Sequence, residues 1–409
     1  MNQIQQFVGM LLSAAIHNRK ISKVDEVSDW YEIFRLAGEH QIQSLLYSVV
    51  KDISTENGGP NDELMHLWKN TSLLSAVVQN NNYNNVCKVL SSFNEADIPF
   101  IALKGFIIRD LYPKPELRTM SDLDILVRDK YIESAKSVLE RFGYVEEDRS
   151  YKHIQFFHDD QLAIELHTRL LDEQFLDNTE RWEKTLWDNA VSININNIPI
   201  LTLSIEDHLL FLFFHLIVHF MLSGFGLRQL YDLAVFIKTK REQIDWVSFY
   251  NKVIELRINN FVSLITSVCE EIFDIKMPEI VSLRVEDEHN INIIINDIFA
   301  GGVFGYNETG HIISGVLTNF IGEKKILPSR FIRIIYVLFP PYRIMKQKYK
   351  YIRKLPILMP IAWLHRFFYN LIRKDKLFSK KSDYLNIFSS HKVYEERYKL
   401  LQWLDMTGN

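Results

Sequence analysis

The stretch from residue 98 to residue 167 constrains the fold most, because a chain of mainly helical pattern changes here to short strands. Alternating or continuous apolar runs bounded by turn residues are typical of strands. One amphipathic helix, 131–142, lies among them, with apolar residues at three- and four-residue steps. Strands on both sides of a helix, followed by a hairpin, predict a small mixed α/β sheet. The strand-like runs are 98–103, 121–127, 153–159 and 161–167, with the hairpin turn at 159–160.

Helical spacing dominates on both sides of this stretch. We therefore predict an α+β protein in which a small mixed-sheet core is embedded in mostly helical N- and C-terminal regions. Three places have the residue types of helix ends: Pro60-Asn61-Asp62 as a helix start, Ser204 as an N-cap, and Gly143 after a C-terminus. The expected divisions are a helical region 1–97, an α/β core 98–203, a helical domain 204–322 and a basic, aromatic-rich helical tail 323–409.

Composition excludes several classes of protein. Hydrophobic residues make up 47% of the 409 residues and charged residues 24%, which argues against a disordered chain or a fibre. The two cysteines, Cys87 and Cys269, are too few for a disulfide scaffold and predict a reducing, cytoplasmic location. The most apolar run, 208–222, is shorter than the ~20 residues that span a bilayer, so we expect it to be a helix enclosed by protein.

The net charge of -4 hides an uneven distribution. Residues 324–381 contain 16 Lys and Arg but one acid, Asp375, a local charge of about +15 that leaves about -19 for the remainder. Tyrosine and phenylalanine are interleaved with these basic residues. Such a segment is suited to RNA, to an anionic membrane surface, or to a solvated basic face, and the sequence leaves these three alternatives open.

Asp122 and Asp124 are the first candidate site residues. Two residues apart on a strand, they point to the same face with α-carbons roughly 6.5–7 Å apart. Two like charges this close on an otherwise apolar strand repel each other unless a cation neutralises them. Mg²⁺ prefers such hard oxygen ligands and completes its shell with substrate phosphates.

Glu165 can supply a third carboxylate. In the run 161–167 it shares a face with Ala163 and His167, whereas Leu162, Ile164 and Leu166 share the other. If this strand lies beside 121–127, three acids converge. Three converging carboxylates are a ligand set for a two-metal site that supports in-line displacement at phosphorus.

Basic residues near the acids predict phosphate binding. Lys104 and Gly105 follow the first strand, where glycine permits close approach of the backbone and lysine supplies a compact charge. Arg118 could fork onto a phosphate. Arg228 and Asp232 lie four residues apart on a predicted helix and could pair with each other or help to order the site. His167, on the strand of Glu165, is a further candidate for this second role.

The stretch IALKGFIIRDLYPKPELRTMSDLDILV, followed by a helix, FGY and AIELH, resembles the nucleotidyltransferase-fold (polymerase beta-like) superfamily. It is most similar to a poorly characterised bacterial branch, through Leu-Lys-Gly, Tyr-Pro, Arg-x-x-x-Asp-x-Asp and Glu-Leu-His. The resemblance covers about residues 30–240. One departure is that the wider superfamily has Gly-Ser where this chain has Lys104-Gly105, so its details of triphosphate binding do not carry over.

The resemblance implies catalytic and metal-binding roles for Asp122, Asp124 and Glu165. The expected enzyme is a nucleotidyltransferase with two Mg²⁺ ions that transfers a nucleoside monophosphate from a triphosphate such as ATP to a hydroxyl acceptor and releases pyrophosphate. The acceptor (small molecule, peptide, RNA or protein) stays open. The alternatives are a catalytically inactive module of this fold that binds RNA or a partner through the basic segment, and a toxin-like enzyme that modifies transfer RNA or protein.

Overall fold

The structure is a computed structural model, and it describes most of the chain up to residue 302. The basic segment predicted at 324–381 lies largely outside the described residues. Two compact units are distinguished: residues 1–218 with 226–303, and residues 219–225 with 304–409. In the second unit, Met345, Tyr349 and Ala362 form a small buried cluster. The described residues are 1–24, 29–149, 153–171, 179–222, 224–281, 288–302, 339, 342, 345, 349, 351, 355–365 and 399–405.

Among the described residues, helices occur before the sheet and again after it, up to residue 301, as predicted. Their bounds are α1 Gln3–Ile16, α2 Trp30–Glu39, α3 Gln43–Val50, α4 Asp62–Glu95, α5 Lys104–Ile108, α6 Ile132–Arg141, α7 Thr179–Thr185, α8 Ile205–Leu222, α9 Leu227–Lys240, α10 Trp246–Glu255, α11 Asn259–Phe273 and α12 Glu288–Gly301. Sequence signals at the ends are confirmed. Asn61 accepts from the Leu64 N–H, Ser204 accepts from the Asp207 N–H, and Gly143, with φ +85°, follows the end of α6.

One seven-stranded mixed sheet forms the centre of the first unit, which confirms the predicted α+β class. Its strands are β1 Phe100–Ala102, β2 Asp122–Val127, β3 Val145–Arg149, β4 His153–Phe157, β5 Ala163–His167, β6 Val191–Ile195 and β7 Ile198–Thr202. Their order in the sheet is β3-β4-β5-β2-β1-β7-β6. Strand β2 is parallel to β5, β1 is parallel to β7, and the remaining neighbours are antiparallel.

Alternation along β2 and β5 separates an apolar face from a polar one. Leu123, Ile125 and Val127 of β2 join Ile164 and Leu166 of β5 in one buried cluster with side chains of α4 and α6. Because successive strand residues point to opposite faces, the acids between these apolar positions point away from that cluster. The core therefore fixes the face on which the carboxylates lie.

The β6–β7 hairpin was not predicted. Its turn is Asn196-Asn197, and both residues have positive φ (51° and 63°), as a two-residue type I′ turn requires. Asparagine tolerates this conformation better than most residues, so the pair between VSINI and IPILT was an available signal. The hairpin extends the sheet on the side of β1.

Within the described residues, no helix has the length and apolarity needed to cross a membrane. Helix α8 contains the apolar run predicted to be enclosed, and most of its residues from Leu209 to Ile217 are buried.

A buried histidine, His40, connects three helices of the first unit. Its Nδ1 accepts the N–H of Leu227 at the start of α9 (3.1 Å), and its Nε2 contacts the carbonyl of Phe299 in α12 (3.2 Å). The imidazole is fully buried, and burial lowers the pKa of His40 to about 4. A proton on Nδ1 would also remove the acceptor that the Leu227 N–H uses.

We expect His40 to make the protein less stable in mild acid. Between its unfolded pKa of ~6.5 and its folded value of about 4, the unfolded chain binds a proton that the folded chain excludes, so stability falls as pH drops through this window. The loss from this group between pH 7 and pH 5 is about 2 kcal/mol. Urea unfolding at both pH values checks it: His40→Gln should remove this part of the loss, whereas His66→Gln, at an exposed position, should not. An identical pH dependence in wild type and His40→Gln would contradict the assignment.

Candidate active site

The carboxylates converge because β2 and β5 are adjacent parallel strands in a defined register. The α-carbon of Asp124 pairs with that of Glu165, and Asp122 pairs with Ala163 two residues earlier. Asp122, Asp124, Glu165 and His167 consequently point to the same side of the sheet. The adjacency on which the predicted three-acid site depended is present.

Asp124 lies at the centre of this group. Its Oδ1 accepts from Nζ of Lys104 (3.1 Å) and lies 2.8 Å from Nε2 of His167. The same His167 nitrogen is 3.4 Å from Oε2 of Glu165. Ligand atoms of Asp124, Glu165 and His167 all lie within 4.8 Å of one another, close enough to share one metal ion.

Electrostatics keep the buried acids ionised. Burial alone would raise the pKa of Asp124, but the Lys104 ammonium and the His167 hydrogen bond hold that pKa well below its ordinary value. Burial works in the same sense on Glu165, whose pKa is nevertheless lowered by its hydrogen bond to His167. In return, the carboxylates raise the pKa of His167 and of Lys104 against the effect of burial. The Lys104 ammonium thus supplies positive charge beside Asp124, and the His167 imidazole forms a hydrogen bond to the same carboxylate.

Asp122 differs from its neighbours because it is exposed at the edge of the group. Protein atoms still crowd it, and this reduced hydration, together with the nearby Asp124 charge, raises the pKa of Asp122. Within the described residues it forms no ion pair. An accessible carboxylate held beside a second one is able to accept a cation from solvent.

Arg118 lies in a separate buried network. Its Nε and Nη2 donate to the two carboxylate oxygens of Asp232 (2.9 and 2.8 Å), and the hydroxyl of Tyr112 donates to Oδ1 of the same residue (2.8 Å). The guanidinium also passes so close to Gly105 that a β-carbon there would lie 2.4 Å from Nη1. The space beside Gly105 is therefore filled by Arg118 on this side.

Arg228 and Asp232 have different partners rather than each other. Arg228 donates through Nη1 to the carbonyl of Thr119 (2.7 Å), and its Nη2 lies 3.4 Å from Oγ of Ser121. Gln79 of α4, which is buried, accepts the N–H of Met120 (2.8 Å). These contacts fix the three residues that immediately precede Asp122.

The structure brings five of the nine predicted residues together: Lys104, Asp122, Asp124, Glu165 and His167. Gly105, Arg118, Arg228 and Asp232 belong to the layer that holds them in place. Sequence reasoning missed Tyr112 and Gln79. Tyr112 belongs to the Tyr-Pro motif and could have been considered, but Gln79 stands in an unremarkable helix with no local signal.

Backbone conformation at Lys104 is also specific to the site. The residue follows β1, begins α5 and has φ +39°, a left-handed conformation that side chains other than glycine rarely adopt. Its Nζ lies 5.4 Å from the ring centroid of Phe211 in α8. The strained turn aims the ammonium at Asp124, and such strain is concentrated at functional sites.

Comparison with known proteins adds a family match. The sequence model of a family described as uncharacterised nucleotidyltransferase matches residues 26–274, well over half of the chain and all seven strands. Among solved structures, the antibiotic-resistance factor ANT(2'')-Ia is similar at 11% identity and a TM-score of 0.32, over 44% of this chain and 96% of that one. No curated protein matches the chain.

Proposed function

Because the chain belongs to the family of uncharacterised nucleotidyltransferases, we propose that it is a Mg²⁺-dependent enzyme that transfers a nucleoside monophosphate from a nucleoside triphosphate to an acceptor hydroxyl. The observation that carries the proposal is the pairing of Asp124 with Glu165 across β2 and β5, with Asp122 on the same face. Three carboxylates face one lysine and one histidine there, so the group has an excess of negative charge that divalent cations would balance.

The donor set fits magnesium. Asp124 and Glu165 offer hard oxygen ligands, and His167 offers a nitrogen in reach of the same position. Asp122 offers a further carboxylate on the same face of the sheet. Bound Mg²⁺ would neutralise triphosphate charge and polarise the α-phosphorus toward attack. Lys104 donates one hydrogen bond to Asp124, and its charge compensates that carboxylate. With a divalent cation bound beside Asp124, the ammonium of Lys104 would be free to bind the outer phosphates of the nucleotide.

The remaining groups position the reactants. Glu165 orients the acceptor hydroxyl and receives its proton while the hydroxyl oxygen bonds to the α-phosphorus. The bond from that phosphorus to the bridging oxygen breaks, and pyrophosphate leaves. Arg118 acts indirectly, because its guanidinium is committed to Asp232 and packs beneath Gly105. Most of the acceleration in this scheme comes from positioning and charge neutralisation.

Calorimetry with ATP, GTP, CTP and UTP tests the first step. We expect at least one triphosphate to bind in the presence of Mg²⁺ and to bind at least ~10-fold more weakly in EDTA, because its phosphates would then face uncompensated carboxylates. Asp160→Asn, in the exposed β4–β5 turn, is the matched control and should bind as wild type does.

If none of the four triphosphates binds with or without Mg²⁺, the enzymatic proposal is wrong. Salt-sensitive RNA binding by the same preparation would then favour the inactive RNA-binding module. A cytoplasmic location and RNA or membrane contact through residues 324–381 stay predictions from the sequence.

A further inference from the structure

Eight exposed residues form a continuous stripe along α4, which we call the α4 stripe. Every member is exposed to solvent, and the steps between them alternate between four and three residues. This alternation is the a/d spacing of a helix that packs lengthwise against another helix. The α4 stripe consists of Glu63, Leu67, Asn70, Leu74, Val77, Asn81, Asn84 and Lys88.

The α4 stripe is unusual for a surface because its middle is uncharged and apolar. No charged residue occurs between Lys69 and Lys88. Leu74 is 69% exposed and Val77 58%, and they are flanked by exposed Leu73 and Val78. Surface helices normally carry charge on such a face. An exposed patch of this kind marks an interaction surface.

The fold does not depend on the α4 stripe, because a different face of α4 anchors the helix. Its buried side includes Leu64, Trp68 and Phe93, and Trp68 donates to the carbonyl of Gln43 (2.9 Å). Among the described elements, none buries the middle of the α4 stripe. A partner is therefore needed to cover it.

We propose that the α4 stripe pairs antiparallel with the same stripe of a second copy of this chain, about a two-fold axis between Leu74 and Val77. In this register a and d positions alternate across the interface. Leu74 packs on Val77 of the second copy twice, and Asn70 meets Asn81 on either side. Farther out, Leu67 meets Asn84, and Glu63 meets Lys88 at each end.

Charge selects this arrangement over a parallel one. A parallel pair in register would bring Glu63 against Glu63 and Lys88 against Lys88, and like charges directly opposed are destabilising. The antiparallel pair instead joins opposite charges at both ends. The asparagine layers would hydrogen-bond across the interface, and a slip by one heptad in either direction would break both these pairs and the Glu63–Lys88 pairs at the ends. The complementarity of one helix with itself points to a second copy rather than an unrelated protein.

Cysteine cross-linking tests the register directly. Mixing Asn70→Cys protein with Asn81→Cys protein under mild oxidation should give a covalent dimer, because the two positions face each other. Asn70→Cys protein alone should not cross-link, because its two cysteines would be ~16 Å apart along the axis, beyond the reach of a disulfide. Both native cysteines are buried, so the wild-type protein is a suitable background.

Sedimentation equilibrium provides a second, independent measurement. Leu74→Lys should weaken the dimer at least ~100-fold, because it places like charges in the two central layers. Glu63→Lys and Lys88→Glu should each weaken it, and the double variant should recover it. The proposal would be overturned if Asn70→Cys protein cross-linked to itself. It would also be overturned if the wild-type protein stayed monomeric at all concentrations and the mixture of Asn70→Cys and Asn81→Cys proteins gave no cross-link.

Discussion

Asp122→Asn is expected to reduce nucleotidyl transfer by at least ~10³-fold while changing the free energy of unfolding by less than about 0.5 kcal/mol. The substitution keeps the shape of the side chain and removes only the charge that would bind a cation. Asp122 is exposed and, within the described residues, forms no ion pair. Its loss therefore leaves no buried charge without a partner, and a loss of activity would reflect chemistry rather than unfolding.

The measurement follows label from α-phosphorus-labelled triphosphates into small molecules, peptides, RNA and protein of a cell extract, which also identifies the acceptor. Mass spectrometry of the labelled product then provides a defined assay for the variants. Asp160→Asn is the control, because it makes the same change in the exposed β4–β5 turn, outside the group of five residues that the structure brings together. Transfer by Asp122→Asn at the wild-type rate would exclude the metal-binding role.

Asp124→Asn is the less informative variant, although the same loss of transfer is expected. Asp124 is buried, compensates the charge of Lys104 and forms a hydrogen bond with His167. Removing its charge would leave a buried ammonium without its partner, which is strongly destabilising. A fall in the activity of Asp124→Asn would then combine lost metal binding with lost stability. The Asp122→Asn variant separates these two causes.

The polar face of the sheet could be predicted from the sequence because strand periodicity is local. Alternation of Leu123, Ile125 and Val127 with the aspartates defines which side chains share a face, whatever the strand's neighbours are. The adjacency of β2 and β5 was not determined by that pattern. The pairing joins strands that are distant in the sequence. The three-acid site could therefore be predicted only on the condition that these two strands are neighbours.

The network behind the site could not be predicted for the same reason. Arg118 and Asp232 are 114 residues apart, and nothing local to either indicates the other. The spacing of Arg228 and Asp232 favoured a pair within one helix, which gains only ~0.2–0.5 kcal/mol on a surface. Both residues are buried, where a charge without a partner costs far more, so tertiary partners with better geometry prevail.

Breaking the Arg118–Asp232 pair should produce the largest loss of stability. We expect Asp232→Ala to lower the free energy of unfolding by about 3–5 kcal/mol, because it leaves a buried guanidinium and the buried Tyr112 hydroxyl without their acceptor. Both charged side chains are less than a tenth exposed, so solvent cannot replace the lost contacts. Gly105→Ala should act in the same direction more weakly, by crowding the guanidinium out of its position.

Thermal and urea unfolding measure this loss, and the melting temperature should fall by roughly 3–8 °C, because the unfolding entropy of a chain of 409 residues is large. The control is Glu255→Ala, which breaks the exposed Arg181–Glu255 pair (3.2 Å) and should cost less than about 1 kcal/mol. A loss for Asp232→Ala no larger than that of this control would show that the pair is not desolvated.

Replacing the whole network with apolar side chains tests whether its polar groups position the active site or serve only the stability of the fold. Arg118→Met, Tyr112→Phe and Asp232→Leu together remove every charge and hydroxyl of the group, so no polar atom of these three side chains is left unpaired. Because buried ion pairs are often matched in stability by apolar side chains of similar volume, we expect the triple variant to regain more than half of the loss. Its transfer activity should stay low even so, because the Arg118 guanidinium packs against Gly105, the residue directly after Lys104, and its loss should disturb the position of Lys104 beside Asp124. Recovery of stability without activity would assign the network to positioning the site, whereas recovery of both would show that it serves the fold alone.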